Sequence, residues 1–148
     1  MSIEIKKKRR NIIIGAIVLI SMITAMIIFI PRIIPDNTSE LYEDIDVDTA
    51  YNMINDTITY PDLIILDVRA LSEYEESHLN NSILIPHDEL EARIDEIIEY
   101  IDVEIIVYCR SGFRSEIAVD ILISNNFTKV YNMLGGINGW IDAGYPTV

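Results

Sequence analysis

Hydrophobic positions along the chain fall into two patterns. From Ile12 to Ile30 no residue is charged and nearly all are apolar. As one helix this stretch would run roughly 28 Å at about 1.5 Å per residue, close to the ~30 Å of a bilayer's hydrocarbon core, which predicts a single transmembrane helix. A helix of a soluble core would show a polar face, and this run has none. Lys6 to Arg10 stand directly before it and only Arg32 follows closely, so the positive-inside rule makes residues 1–11 a basic cytoplasmic tail and leaves the rest of the chain extracytoplasmic, in a single-pass protein of the cell membrane. The competing reading is a signal peptide cut after Ala25, which would leave Met26 to Ile30 as an apolar terminus. Pro31 and Pro35 mark the exit, and residues 31–40 read as a linker.

The second pattern begins near Leu41 and covers residues 41–148. Short apolar runs alternate with helical periodicity, the mark of a parallel sheet with crossover helices, so an α/β fold is expected. Asp48 is placed to cap a helix through Asn55, with Ala50, Met53 and Ile54 on one face. Leu63–Leu66 reads as a buried strand, Ser72–Glu76 as a short helix, and Ser82–Ile85 as a strand closed by Pro86. Asp88–Tyr100 has the pattern of an amphipathic helix, with Leu90, Ile94, Ile97 and Ile98 inward and its acids on a solvated face. Ile105–Tyr108 is the most apolar strand. A helix over Ser115–Ser124, a strand over Lys129–Met133 and a helix over Gly136–Ala143 complete the series.

Composition narrows the function classes. The 148 residues allow one domain with a tail, and 50 % hydrophobic residues exclude a disordered chain. Net charge is -13, and beyond residue 35 five Lys and Arg face 23 Asp and Glu, about -18. A nucleic-acid partner is therefore not expected. Cys109 is the only cysteine, so neither a disulfide within the chain nor a cysteine zinc cluster is possible, and no metal or cofactor is implied.

Candidate chemistry gathers in Cys109-Arg110-Ser111-Gly112-Phe113-Arg114, between the most apolar strand and a helix start. Ligands of parallel α/β sheets bind at the carboxyl ends of strands. A loop there whose N–H groups turn inward, backed by a helix dipole, cradles an anion and favours thiolate over thiol. Gly112 suits a positive φ or a close backbone approach. Arg110 and Arg114 reverse the domain's charge locally, as an anionic substrate requires.

The domain resembles the single-domain rhodaneses, a family of sulfurtransferases. The resemblance rests on separated pieces in order: Leu66-Asp67-Val68-Arg69, Glu73-Tyr74 with His78-Leu79, Ile83-Leu84-Ile85-Pro86, Tyr108-Cys109-Arg110-Ser111-Gly112-Phe113-Arg114-Ser115, and Leu134-Gly135-Gly136-Ile137-Asn138-Gly139-Trp140. It implies a three-layer domain with a central parallel sheet flanked by helices. It also implies a sulfane sulfur taken by Cys109 from a small anionic donor such as thiosulfate, held as a persulfide and passed to a thiol or cyanide-like acceptor. On this reading Cys109 is the nucleophile, the N–H groups of Arg110, Ser111, Gly112, Phe113, Arg114 and Ser115 stabilise sulfur charge, and the two arginines bind the leaving anion. Asp67, Arg69 and His78 are structural supports near the site, and His87 is a surface residue. Where the family shows Gly-His-Ile-Pro-Gly-Ala, this chain has Ser77-His78-Leu79-Asn80-Asn81-Ser82, and Asn81 is placed to take the left-handed geometry of a glycine.

Two other classes remain open. One is a non-catalytic or redox-sensing domain that stores sulfur or binds a partner, and a lone cysteine by itself is more often an inert buried residue. The other is an anion reductase or phosphatase, which the related families build with five residues between cysteine and arginine; here Cys109 and Arg114 enclose four. The glycines from Gly135 to Gly139 lack the following βαβ unit that dinucleotide binding needs, and read as a turn with Trp140 packed on the sheet.

Overall fold

A computed structural model of the protein describes residues 41–148. The expected tail, transmembrane helix and linker lie outside the described residues. Among the described residues no helix is long and apolar enough to cross a membrane.

Five parallel strands form one sheet in the order β1-β5-β4-β2-β3, with β1 at Tyr42–Ile45, β2 at Ile64–Asp67, β3 at Ile83–Leu84, β4 at Ile105–Tyr108 and β5 at Val130–Met133. Helices α1 (Val47–Asn55), α2 (Leu71–Glu76), α3 (Phe113–Ser124) and α4 (Gly136–Asp142) connect or follow them. β4 is buried along its whole length because both faces of the sheet are covered, and so it reads as an unbroken apolar run. Ile105 and Val107 point into one core with Val119 and Leu122 of α3, while Ile106 and Tyr108 point into the other with Ala50, Met53 and Trp140. These two cores make the three layers.

Four local expectations need correction. Asp46, not Asp48, caps α1: its Oδ1 accepts the Thr49 N–H at 2.8 Å, and Asp48 lies in the first turn. β1 has no counterpart among the expected strands; its sequence Tyr-Glu-Asp-Ile is mostly polar because it runs along a sheet edge, where only Ile45 is buried. The expected strand Ser82–Ile85 shrinks to Ile83–Leu84, with the buried Ser82 hydroxyl donating to the Leu79 carbonyl at 2.7 Å.

The expected helix Asp88–Tyr100 is instead two 3-10 stretches, Glu91–Glu96 and Ile98–Tyr100. Three residues per turn align Ile94, Ile97 and Tyr100 toward the core and turn Ile98 out, 42 % exposed, whereas an α-helix would have buried it. Clustered β-branched isoleucines and acids, relieved only where Arg93 pairs with Glu89 and Glu96, weaken the α-helical alternative.

Candidate active site

The buried β4 delivers Cys109 to the carboxyl end of the sheet, and the chain turns at once into α3. The turn requires Gly112, whose φ of +117° lies in the left-handed region that favours glycine. This geometry aims the Gly112 N–H at Cys109 Sγ, 3.1 Å away. Ser115, fully buried one turn on, donates its hydroxyl to the Gly112 carbonyl at 2.8 Å and braces the turn. Burial pushes the Cys109 thiol up. The N–H groups of Gly112, Ser111 and Ser115 work against it, and the thiol ends below its ordinary value.

The loop's carbonyls are taken up from the other side. α4 starts on Gly135 and Gly136, and its unpaired N–H groups face the loop: Ile137 donates to the Cys109 carbonyl at 2.9 Å and Asn138 to that of Arg110 at 3.2 Å. With those carbonyls held outward, the following N–H groups stay turned toward the sulfur. This use of α4 has no local sequence signal beyond the paired glycines.

Asp67 ends β2 in register with Tyr108 of the neighbouring β4, and Arg69 follows it, both buried. Arg69 Nε donates to both Asp67 oxygens at 2.9 and 3.0 Å and Nη2 to Oδ2 at 2.6 Å. The remaining guanidinium donors reach the carbonyls of Ser77 at 2.7 Å and Glu73 at 3.2 Å, tying the α2 segment to the sheet. The Arg69 guanidinium stands over the Tyr108 ring, 5.6 Å from its centroid. Tyr108 Oη accepts the Leu79 N–H at 3.1 Å and donates to Ser82, and burial with the Asp67 charge pushes its phenol well up. His78 stacks on Tyr74, donates Nδ1 to the Tyr74 carbonyl at 2.8 Å and pairs through its backbone with Val148. His87 is half-buried, 3.7 Å from Asp88. Asn81 takes φ +62°, the left-handed geometry expected of it.

The two loop arginines differ. Arg114 is gripped by Glu73, Nη1 to Oε2 at 2.6 Å and Nη2 to Oε1 at 2.8 Å. Arg110 is exposed, has no ion pair among the described residues, and borders a cleft of about 160 Å³ with Glu76, Ser77 and Asn138. Ser111 and Phe113 are exposed at the mouth, Phe113 by 73 %. Glu73 is the site residue that sequence reasoning did not assign; the Arg114 hydrogen bonds hold its carboxyl at about 2, well below the usual carboxylate range. Among the described residues no three His, Cys, Asp or Glu side chains gather as a metal site. Chemically, the arrangement is a recessed thiol whose ionised form the surrounding N–H donors favour, with one guanidinium free of ion pairs among the described residues at its mouth.

Residues 46–143 match the family described as Rhodanese-like domain. A crystal structure of a rhodanese-related protein from Thermoplasma volcanium is similar with a TM-score of 0.62 and 33 % identity, over 72 % of this chain and 98 % of that one. A Bacillus subtilis protein named putative sulfur carrier protein YrkF is 41 % identical over 78 residues, 53 % of this chain and 41 % of its own. The tRNA uridine(34) hydroxylase of Cronobacter sakazakii is 35 % identical over 88 residues, 57 % of this chain and 25 % of its own. The chain thus spans less than half the length of either curated relative.

Proposed function

The chain belongs to the rhodanese-like domain family, and on that premise we propose that it is a sulfurtransferase that carries sulfane sulfur on Cys109 from a donor such as thiosulfate to a thiophilic acceptor. The observation that carries this reading is the ring of N–H groups around a thiol with lowered pKa. Such donors stabilise negative charge on sulfur in the thiolate and, one atom further out, in a persulfide. The thiolate attacks the outer sulfur of thiosulfate. As the Sγ–S bond forms, the bond to the sulfite sulfur breaks and sulfite leaves with the electron pair. A second nucleophile, a thiolate or cyanide, then takes the terminal sulfur and returns Sγ as thiolate. No proton moves in either step, so no general base is needed. With no second cysteine in the chain, discharge falls to another molecule.

The same reading keeps residues 12–30 as a membrane anchor and the domain on the extracytoplasmic side, to be checked by protease accessibility of intact cells. The first test of the chemistry is the intact mass of the purified full chain after thiosulfate and desalting. A gain of one sulfur atom, absent from Cys109→Ser and removed by cyanide, is expected. No gain on a folded chain with a free thiol would overturn thiosulfate as donor.

A further inference from the structure

The electrostatics of the loop mouth are set by a residue outside the loop. Both terminal nitrogens of Arg114 are occupied by Glu73, and the carboxylate is itself held, since Oε2 also accepts the Ala70 N–H at 3.2 Å. The two side chains are only 24 % and 25 % exposed, so water screens them incompletely. Around Cys109 the charged groups are Arg110 and Arg114 from the loop and α3, Glu73 from α2, and the buried Asp67–Arg69 pair at the end of β2, beside β4; Glu76 stands with Arg110 at the adjoining cleft, and the start of α4 brings no charge. Both ion pairs sum to zero. Arg110 is left as the only cation at the mouth without an ion pair among the described residues.

We propose that Glu73 is a specificity-determining residue: by neutralising Arg114 it lowers the positive field at Cys109 and biases the site against doubly charged anions, toward sulfur donors carrying one negative charge or none. The inference takes its biological meaning from the sulfur-transfer reading, while its electrostatics stand on the ion pair. Thiosulfate brings two negative charges to a thiolate that already has one. A thiosulfonate or organic persulfide brings one at most. Coulomb energy scales with ligand charge, so any change in the field acts twice as strongly on the logarithm of the rate for the dianion.

Alkylation tests this without sulfur transfer, because Cys109 is the only thiol. The rate ratio of iodoacetate, which carries one charge, to neutral iodoacetamide cancels the thiolate fraction. Relative to the wild-type full chain, the ratio is expected to rise about threefold in Glu73→Gln, fall about threefold in Arg114→Gln, and return within about twofold in the double variant, whose net charge is that of the wild type. Glu73→Asp keeps the charge and stays within about twofold. In the same series kcat/KM in Glu73→Gln rises about tenfold for thiosulfate and about threefold for methanethiosulfonate, whose leaving group is methanesulfinate.

A double variant as poor with iodoacetate as Arg114→Gln would overturn the proposal, because Arg114 would then be touching the anion directly. So would a ratio that stays constant across the series. A purely structural role for the pair would slow both alkylating agents alike and leave their ratio unmoved. If Glu73→Gln does not fold, the double variant against Arg114→Gln decides. If the mass test shows no sulfur on Cys109, the alkylation series still stands or falls alone.

Discussion

Helix α4 meets the sulfur loop with no room for a side chain, and Gly136→Ala is the substitution that measures this. A Cβ there would press on the Cys109 carbonyl oxygen and lie 2.7 and 2.8 Å from the carbonyl carbon and oxygen of Arg110, all backbone atoms that cannot rotate away. Its φ of +56° is left-handed, which costs an L-residue about 1–2 kcal/mol. Relieving the overlap means lifting α4 off the loop. That weakens the bonds from Ile137 to Cys109 and from Asn138 to Arg110, worth about 0.5–1.5 kcal/mol each. Because lifting the helix exchanges the clash for lost bonds, the two are alternatives, and the sum with the backbone strain is about 3–4 kcal/mol. Gly144 is the control: its φ is +79° but nothing lies within 4 Å, so Gly144→Ala carries the strain alone, about 1 kcal/mol. Urea unfolding of the purified full chain, followed by the fluorescence of its sole tryptophan, Trp140, reads both values. The pH midpoint of Cys109 alkylation should also rise in Gly136→Ala as the loop loosens. Two glycine variants within about 0.5 kcal/mol of each other would refute the close approach of α4 to the loop.

Three further outcomes follow from the same geometry. Asp67→Asn strips the charge partner from a guanidinium that is itself 4 % exposed and should cost about 3–5 kcal/mol in urea unfolding; a loss under about 1 kcal/mol would show that Arg69 is held by its carbonyl partners alone. The Glu73 carboxyl lies at about 2 against an ordinary 4.5, so its pairing stabilises the fold above the ordinary value and is lost as pH falls from about 4.5 to about 2. Linkage sets a ceiling of about 3 kcal/mol over the whole window and about 2 kcal/mol between pH 7 and pH 3, which solvent screening of a pair a quarter exposed reduces to about 1 kcal/mol; unfolding at those two pH values should show that difference in the wild type and a smaller one in Glu73→Gln. Ser115→Ala removes the hydroxyl that braces the Gly112 turn and should move the alkylation midpoint up as the N–H groups lose their aim at the sulfur, an unmoved midpoint being the contrary result.

What the sequence made legible was what burial imposes. β2 and β4 stood out because both faces of the sheet are covered there, so each strand is apolar almost throughout. β1 did not, because an edge strand can be stabilised by backbone pairing to β5 while its side chains remain polar. The Asp88–Tyr100 segment showed a helical pattern of apolar residues, yet the period that wins is three rather than 3.6, and only the placement of Ile98 separates the two. The loop from Cys109 to Gly112 was readable because its geometry is local: a strand end, a glycine at positive φ and a helix start lie within the six residues from Tyr108 to Phe113. The Glu73–Arg114 pair is 41 residues apart, and no periodicity or spacing joins residues brought together by a crossover connection.

The same contrast explains why the site sits on so many long-range contacts. A short loop can present its N–H groups to one sulfur only if its own carbonyls are satisfied elsewhere, since an unpaired buried carbonyl costs about as much as the bond it lacks. Here α4, which follows the loop by more than twenty residues, supplies those donors from its first turn, while the Asp67–Arg69 pair fastens the α2 segment on the opposite side through the carbonyls of Glu73 and Ser77. Glu73 belongs to both arrangements: its carbonyl accepts from Arg69 and its carboxylate holds Arg114. The residue that adjusts the charge at the mouth is therefore anchored in the framework that fixes the loop, so that the field at Cys109 is set before a donor arrives and needs no rearrangement as the sulfur moves.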